Sequence, residues 1–161
     1  MSFKDLFSNK IELYTVQHPS VLGILNNEKK YIATGYLATD LVENYKNMAM
    51  YLSKKIKNEV EKPIFCFVAT KPLQQHIQNK DFCGFNFNDG DIIFHLKVPL
   101  KYCTVYKFDW FDYFDNNNML LEHIIKRRAD MKKDGLHCCL PYIKSQWIVN
   151  STSLGNFQKI I

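Results

Sequence analysis

Asp91-Ile92-Ile93-Phe94-His95-Leu96-Lys97-Val98 is the stretch on which the fold turns. Ile92, Phe94, Leu96 and Val98 alternate with Ile93, His95 and Lys97, the period of a strand with one face in a core. Pro99 closes the run. Working outward, Ile11 to Val16 repeats the pattern, with Ile11, Leu13 and Thr15 set against Glu12, Tyr14 and Val16. Ile64 to Ala69 follows Pro63 as a continuous apolar run, short and rich in Phe and Val, which reads as a buried strand. Tyr31 to Ala33, Cys103 to Phe108 and Gln146 to Val149 read as further strands.

Helices fall between them. Pro19 suits a first helical turn, and Val21, Leu22 and Leu25 then share a face until Asn26 and Asn27. From about 40 to 58, Leu41, Tyr45, Met48, Leu52 and Ile56 recur at spacings of three and four, with Thr39 or Asp40 as cap. Lys54, Lys55 and Lys57 read as a solvated face at its basic end. Pro72 opens a short helical piece through Ile77. A second long helix is expected over about 118 to 133, capped by Asn118, carrying Leu120, Leu121, Ile124, Ile125 and Ala129 inward and stopped by Gly135. Residues 79 to 91 read as a loop holding Phe82, Phe85 and Phe87. The order predicts an α+β fold: one domain over 1–161, with a mixed or mostly antiparallel sheet flanked by two main helices at about 40–58 and 118–133.

Composition bounds the function. The chain has 161 residues, with 47% apolar and 23% charged, so it belongs with globular domains rather than disordered chains. No apolar run approaches the roughly 18 residues of a membrane span. Lys4, Asp5, Lys10 and Glu12 leave no secretory leader pattern at the start, and five cysteines without a CxxC pair fit free thiols in a reducing cytoplasm. The net charge is +5, with Arg127 and Arg128 as the sole arginines. Lysine and asparagine abundance fits an AT-rich bacterial, phage or plasmid genome. Lysine lacks the planar fork that reads guanine, so any nucleic-acid binding is expected to be weak and non-specific.

Phosphate-binding glycine loops, metalloprotease and nucleophile-elbow motifs are absent. His137, Cys138 and Cys139 are adjacent donor types, but consecutive residues cannot all turn to one metal, and no metal is expected. Asp109, Asp112 and Asp115 read as loop solvation or capping. At the end of the first strand, Thr15 and Gln17 could hydrogen-bond a ligand amide, and Tyr14, Tyr31 or Tyr36 could stack on a flat ring.

Glu12-Leu13-Tyr14-Thr15-Val16-Gln17 resembles the N-terminal Leu-Tyr-Thr-Ile-Gln strand of a bacterial domain family of unknown function. Tyr45 to Met48, Pro63 to Phe67, Lys97-Val98-Pro99 with Asp109 and Asp112, and Ile143 to Ile148 are similar to later segments of that family. More distantly, the opening strand, helix and short strand resemble ADP-ribosyltransferase-like domains. The resemblance implies a cleft for NAD or a related nucleotide near the first strand. Thr15 and Gln17 would hold the nicotinamide amide, Tyr36 or Tyr45 would stack, and Gln146, with Gln17, would supply the catalytic polar group. Thr15 stands where His or Arg is common, and the last strand lacks Glu; either departure fits a binding-only relative. The alternatives are a non-enzymatic phage or mobile-element factor, which masks a protein partner or captures a nucleotide, and a weak basic nucleic-acid-binding domain. The protein-partner reading expects an exposed apolar patch from Phe82, Phe85, Phe87 or Trp110 and Phe111.

Overall fold

A computed structural model describes residues 9–35, 42–79, 90–107, 124–133 and 135–155. It has strands β1 (Lys10–Gln17), β2 (Lys30–Tyr31), β3 (Ile64–Val68), β4 (Ile92–Pro99), β5 (Thr104–Lys107), β6 (Leu136–Leu140), β7 (Ile143–Lys144) and β8 (Ile148–Ser153). Its helices are α1 (Ser20–Glu28), α2 (Val42–Ile56) and α3 (Leu73–Gln78). Six strands form one antiparallel sheet in the order β5-β6-β3-β1-β4-β8, and β2 with β7 forms a separate short ribbon. This is the α+β architecture expected from the sequence.

The alternation in β4 sets the layering. Phe94, Leu96 and Val98 face the main core together with Leu13, Ile64, Cys66, Val68, Val105, Cys138 and Leu140. Val21 and Leu25 of α1, and Ile143 and Trp147 from the ribbon end, cover that face. The opposite face is covered in two parts. Met48, Ala49 and Leu52 of α2 pack over Tyr106 and Cys139. Ile77 of α3 packs with Tyr14 and Ile93.

Two helix ends use left-handed residues without glycine. Lys29 (φ 63) follows α1 and Lys57 (φ 56) follows α2. The Lys29 amide donates to the Leu25 carbonyl at 3.1 Å, and the Asn58 amide to that of Ser53 at 3.2 Å, which satisfies last-turn acceptors. The lysine-rich end of α2 is not wholly solvated: the Lys55 ammonium donates to the Cys103 carbonyl and, at 3.3 Å, to the Thr104 hydroxyl. Burial lowers the pKa of this group.

The sequence expectations need three corrections. The helix expected to reach 133 is absent over its described part: Ile124 bridges to Tyr106, the Ile125 amide donates to the Val105 carbonyl at 2.7 Å, and Arg128–Lys132 forms a 3-10 turn. Ile124 and Ile125 therefore pack beside β5, through backbone pairing that an amphipathic pattern does not reveal. Residues 118–123 lie outside the described residues. Leu136–Leu140 is a fully buried strand between β5 and β3, where no strand was expected. The closing strand begins at Ile148 and runs to Ser153, because Ser145–Trp147 turns as a 3-10 helix.

Candidate functional site

Strand β1 has two very different edges. Against β4 it pairs along its whole length, from Lys10↔Pro99 to Gln17↔Ile92. Against β3 the ladder is limited to Leu13↔Val68 and Tyr14↔Phe67. Beyond it, β3 stays with β6 from Ile64↔Leu140 to Phe67↔His137, while β1 stays with β4. The sheet therefore splits between the end of β1 and the start of β3.

A side chain spans the split. The Thr15 hydroxyl donates to the Phe65 carbonyl at 2.7 Å. Gln17 Nε2 donates to the same hydroxyl oxygen at 2.9 Å. Thr15 is fully buried, so its oxygen relays between a backbone carbonyl and a side-chain amide. This fixes the Gln17 amide in orientation and leaves its carbonyl oxygen and second N–H for other partners.

A cleft of about 210 Å³ opens at the split. Gln17 and Val16 line it from β1, Tyr31 and Ala33 from β2 and the segment after it, and Tyr45 from α2. Lys62, Pro63, Ile64, Phe65 and Phe67 complete the wall. Tyr45 meets Phe65 edge to face, with centroids 5.0 Å apart, and Phe67 meets His137 in the same way at 4.7 Å. Burial raises the pKa of both Tyr31 and Tyr45, so both phenols stay protonated. The site thus offers aromatic walls, one oriented carboxamide and one lysine. Such a set can hold a flat polar ring and an attached anion.

Gln17 and Tyr45 both line this cleft. Thr15 does not: full burial and the bonds to Phe65 and Gln17 make it a positioning residue, in place of the ligand contact expected from sequence. Tyr36 lies outside the described residues. Gln146 is exposed in the 3-10 turn before β8 and does not line the cleft, so the expected late-strand polar group is not in a strand.

Tyr31 carried a weak stacking signal in the sequence. Phe65, Phe67 and Lys62 carried none, because aromatic residues in an apolar run look like core. The rings at Phe82, Phe85, Phe87, Trp110 and Phe111 lie outside the described residues. His137 and Cys139 share a sheet face and Cys138 takes the other, and among the described residues no three His, Cys, Asp or Glu side chains converge to hold a metal ion. No described helix is long and apolar enough to cross a membrane. Comparison with protein-family models, curated proteins and solved structures returns no match for this chain.

Proposed function

We infer that the cleft at the split between β1 and β3 binds the flat, amide-bearing end of NAD or a related nucleotide. The observation that carries this reading is the Gln17 carboxamide, held by the buried Thr15 hydroxyl at 2.9 Å and set among Tyr31, Tyr45, Phe65 and Phe67. A fixed carboxamide offers a donor and an acceptor side by side, which complements a ligand carboxamide or a nucleobase edge. The volume supports one ring rather than a whole dinucleotide, since about 210 Å³ falls below the roughly 300–1,000 Å³ of sites that enclose drug-sized ligands. The remainder of the ligand would lie outside, where Lys62 can meet a phosphate.

The reading assigns capture, not transfer. An ADP-ribosyltransferase-like reaction also needs a group to stabilise the developing oxocarbenium charge or to place an acceptor. Gln146 is not at the cleft, and its described lining holds no carboxylate. A binding role for an ADP-ribosyltransferase-like domain is therefore the form that the geometry favours.

Titration calorimetry with NAD, nicotinamide mononucleotide and AMP tests it. The expected result is saturable binding of at least one of these, weakened about tenfold or more by Gln17→Ala and by Thr15→Val, with Thr15→Ser close to wild type. Absence of binding at millimolar concentrations of all three overturns the reading.

A further inference from the structure

The outer face of the β2–β7 ribbon has lysines where a stable ribbon would not place them. Lys30 and Lys144 are directly opposite, and like charges at such positions destabilise a strand pair. Lys101 stands nearby, in the 3-10 turn before β5. Among the described residues none of these three ammonium groups pairs with a carboxylate. They gather instead around aromatic rings. The Lys30 ammonium lies 4.1 Å from the Tyr142 ring centre, and that of Lys101 lies 5.1 Å from Tyr102. Lys144 is 5.5 Å from Tyr102, 5.7 Å from Tyr142 and 6.0 Å from Trp147.

The rings are themselves ordered. Tyr142 stacks on the buried Trp147 with an interplanar angle of 17° and centroids 5.7 Å apart. Tyr102 leans on both, at 5.6 and 5.0 Å. The two phenols act on each other: the Tyr142 hydroxyl, with Lys144 and Lys101 adding to it, holds the Tyr102 phenol below the usual tyrosine value, while burial and the Tyr102 hydroxyl push that of Tyr142 up to about 12.

We propose that Lys30, Lys101 and Lys144, set around Tyr102 and Tyr142, form a binding surface for single-stranded nucleic acid. The lysines would neutralise backbone phosphates, and the half-buried tyrosines would give bases a π-face and hydroxyl partners. Three N–H donors per lysine exceed what a ring face engages. Without arginine forks the contact is to the backbone and insensitive to sequence. This surface is separate from the cleft: Lys30 and Tyr31 are neighbours on β2 but point to opposite sides, and the inference does not rest on the proposed nucleotide capture.

The test is fluorescence anisotropy with a labelled 12-nucleotide oligouridylate and its oligothymidylate counterpart, with heparin as a polyanion control. Three neutralised phosphates predict a log–log salt slope of about −2, so affinity falls roughly twentyfold between 50 and 200 mM salt. Lys30→Gln/Lys101→Gln/Lys144→Gln is expected to weaken binding at least tenfold, and Tyr102→Leu about five- to tenfold. Lys30→Glu places an opposite charge across from Lys144, so it should keep or raise the melting temperature while weakening the oligonucleotide. That variant keeps the test open if the tyrosine variant fails to fold. No binding at 50 mM salt, binding unchanged by the lysine variants, or heparin binding as tightly while Tyr102→Leu has no effect each overturns the assignment. So does a loss in Gln17→Ala as large as in the triple variant, since binding would then reside in the cleft.

Discussion

On one edge β1 is zipped to β4 from end to end, and on the other it touches β3 at Leu13 and Tyr14 and then parts from it. The same eight residues serve both edges, so strand propensity does not distinguish them. What differs is the pairing of the neighbours. β4 follows β1 throughout, whereas β3 is claimed along most of its length by β6. A strand can be a core element on one side and the wall of a site on the other, when its neighbour's ladder lies elsewhere.

The comparison is tested most strongly by two phenylalanines. Phe94 is fully buried on the zipped side, opposite Thr15. Phe67 sits at the last pair before the split and lines the cleft. Phe-to-Ala substitutions in cores cost ~3–5 kcal/mol. Phe94→Ala is expected at the top of that range and Phe67→Ala at the bottom, because water from the cleft can enter beside Phe67. Urea melts give both values; a Phe67→Ala cost equal to that of Phe94→Ala would mean that the split is closed in solution.

A pH titration sharpens the same contrast on the fully paired seam of β3 and β6. Cys66 lies opposite Cys138, and both are sealed. Burial raises both thiols well above their ordinary value of 9.0, and it raises Cys139 to about 12. Each folded-state pKa is above its unfolded value, so the stabilisation is complete below pH 9 and is lost as pH climbs toward 12. Above pH 9 the unfolded chain binds fewer protons than the native one, and stability falls by up to ~1.4 kcal/mol per pH unit for each thiol. Tyr106, also raised by burial, adds to the loss above pH 10. Thermal melts between pH 7 and 11 measure it. A flat profile from 8 to 11 would show that this seam admits water.

Thr15 is the hinge of the comparison. Thr15→Val keeps the shape but removes the buried hydroxyl and both of its hydrogen bonds, to the Phe65 carbonyl and from the Gln17 amide, at a cost of ~1–3 kcal/mol. Thr15→Ser retains the hydroxyl and loses one methyl, about 0.8 kcal/mol. A valine variant as stable as the serine variant in chemical denaturation would mean that the bridge contributes nothing to joining the sheet halves.

How much of this was legible depends on which neighbour a residue answers to. The alternation in 91–98 and 11–16 marks the faces of β4 and β1, because each strand has its own period. The helix over 42–56 shows through Tyr45, Met48 and Leu52. Leu136–Leu140 was missed because His137 interrupts an apolar run that Gly135 and Pro141 bracket; counting Cys138 and Cys139 as apolar exposes it. The apparent helix at 124–133 reverses the error: Ile124 and Ile125 suit a helical stripe, but β5 offers them backbone partners. Gln17 stood out as a polar group at a strand end and Tyr45 only through the resemblance to ADP-ribosyltransferase-like domains; both line the cleft. The cleft itself was not legible, since it arises from where the β1–β3 ladder stops. That length depends on β6, more than a hundred residues from β1 in the chain.

Gln17→Ala separates site from scaffold, with the smallest expected effect on stability. Gln17 is partly exposed, its backbone pairs with Ile92 whatever its side chain, and its side chain donates to Thr15 through Nε2. Removing the amide leaves the Thr15 hydroxyl its bond to the Phe65 carbonyl, which still joins the sheet halves. The stability change should stay within ~0.5 kcal/mol, as for surface positions without special roles. Ligand affinity should still fall about tenfold, since a hydrogen-bonding group is lost from a site that is otherwise aromatic. A large stability loss with unchanged nucleotide binding would make Gln17 part of the seam and leave the cleft without its polar recognition group. The expected pairing, a silent melt and a weakened isotherm, would show that the open edge of β1 is maintained by Thr15 and used through Gln17.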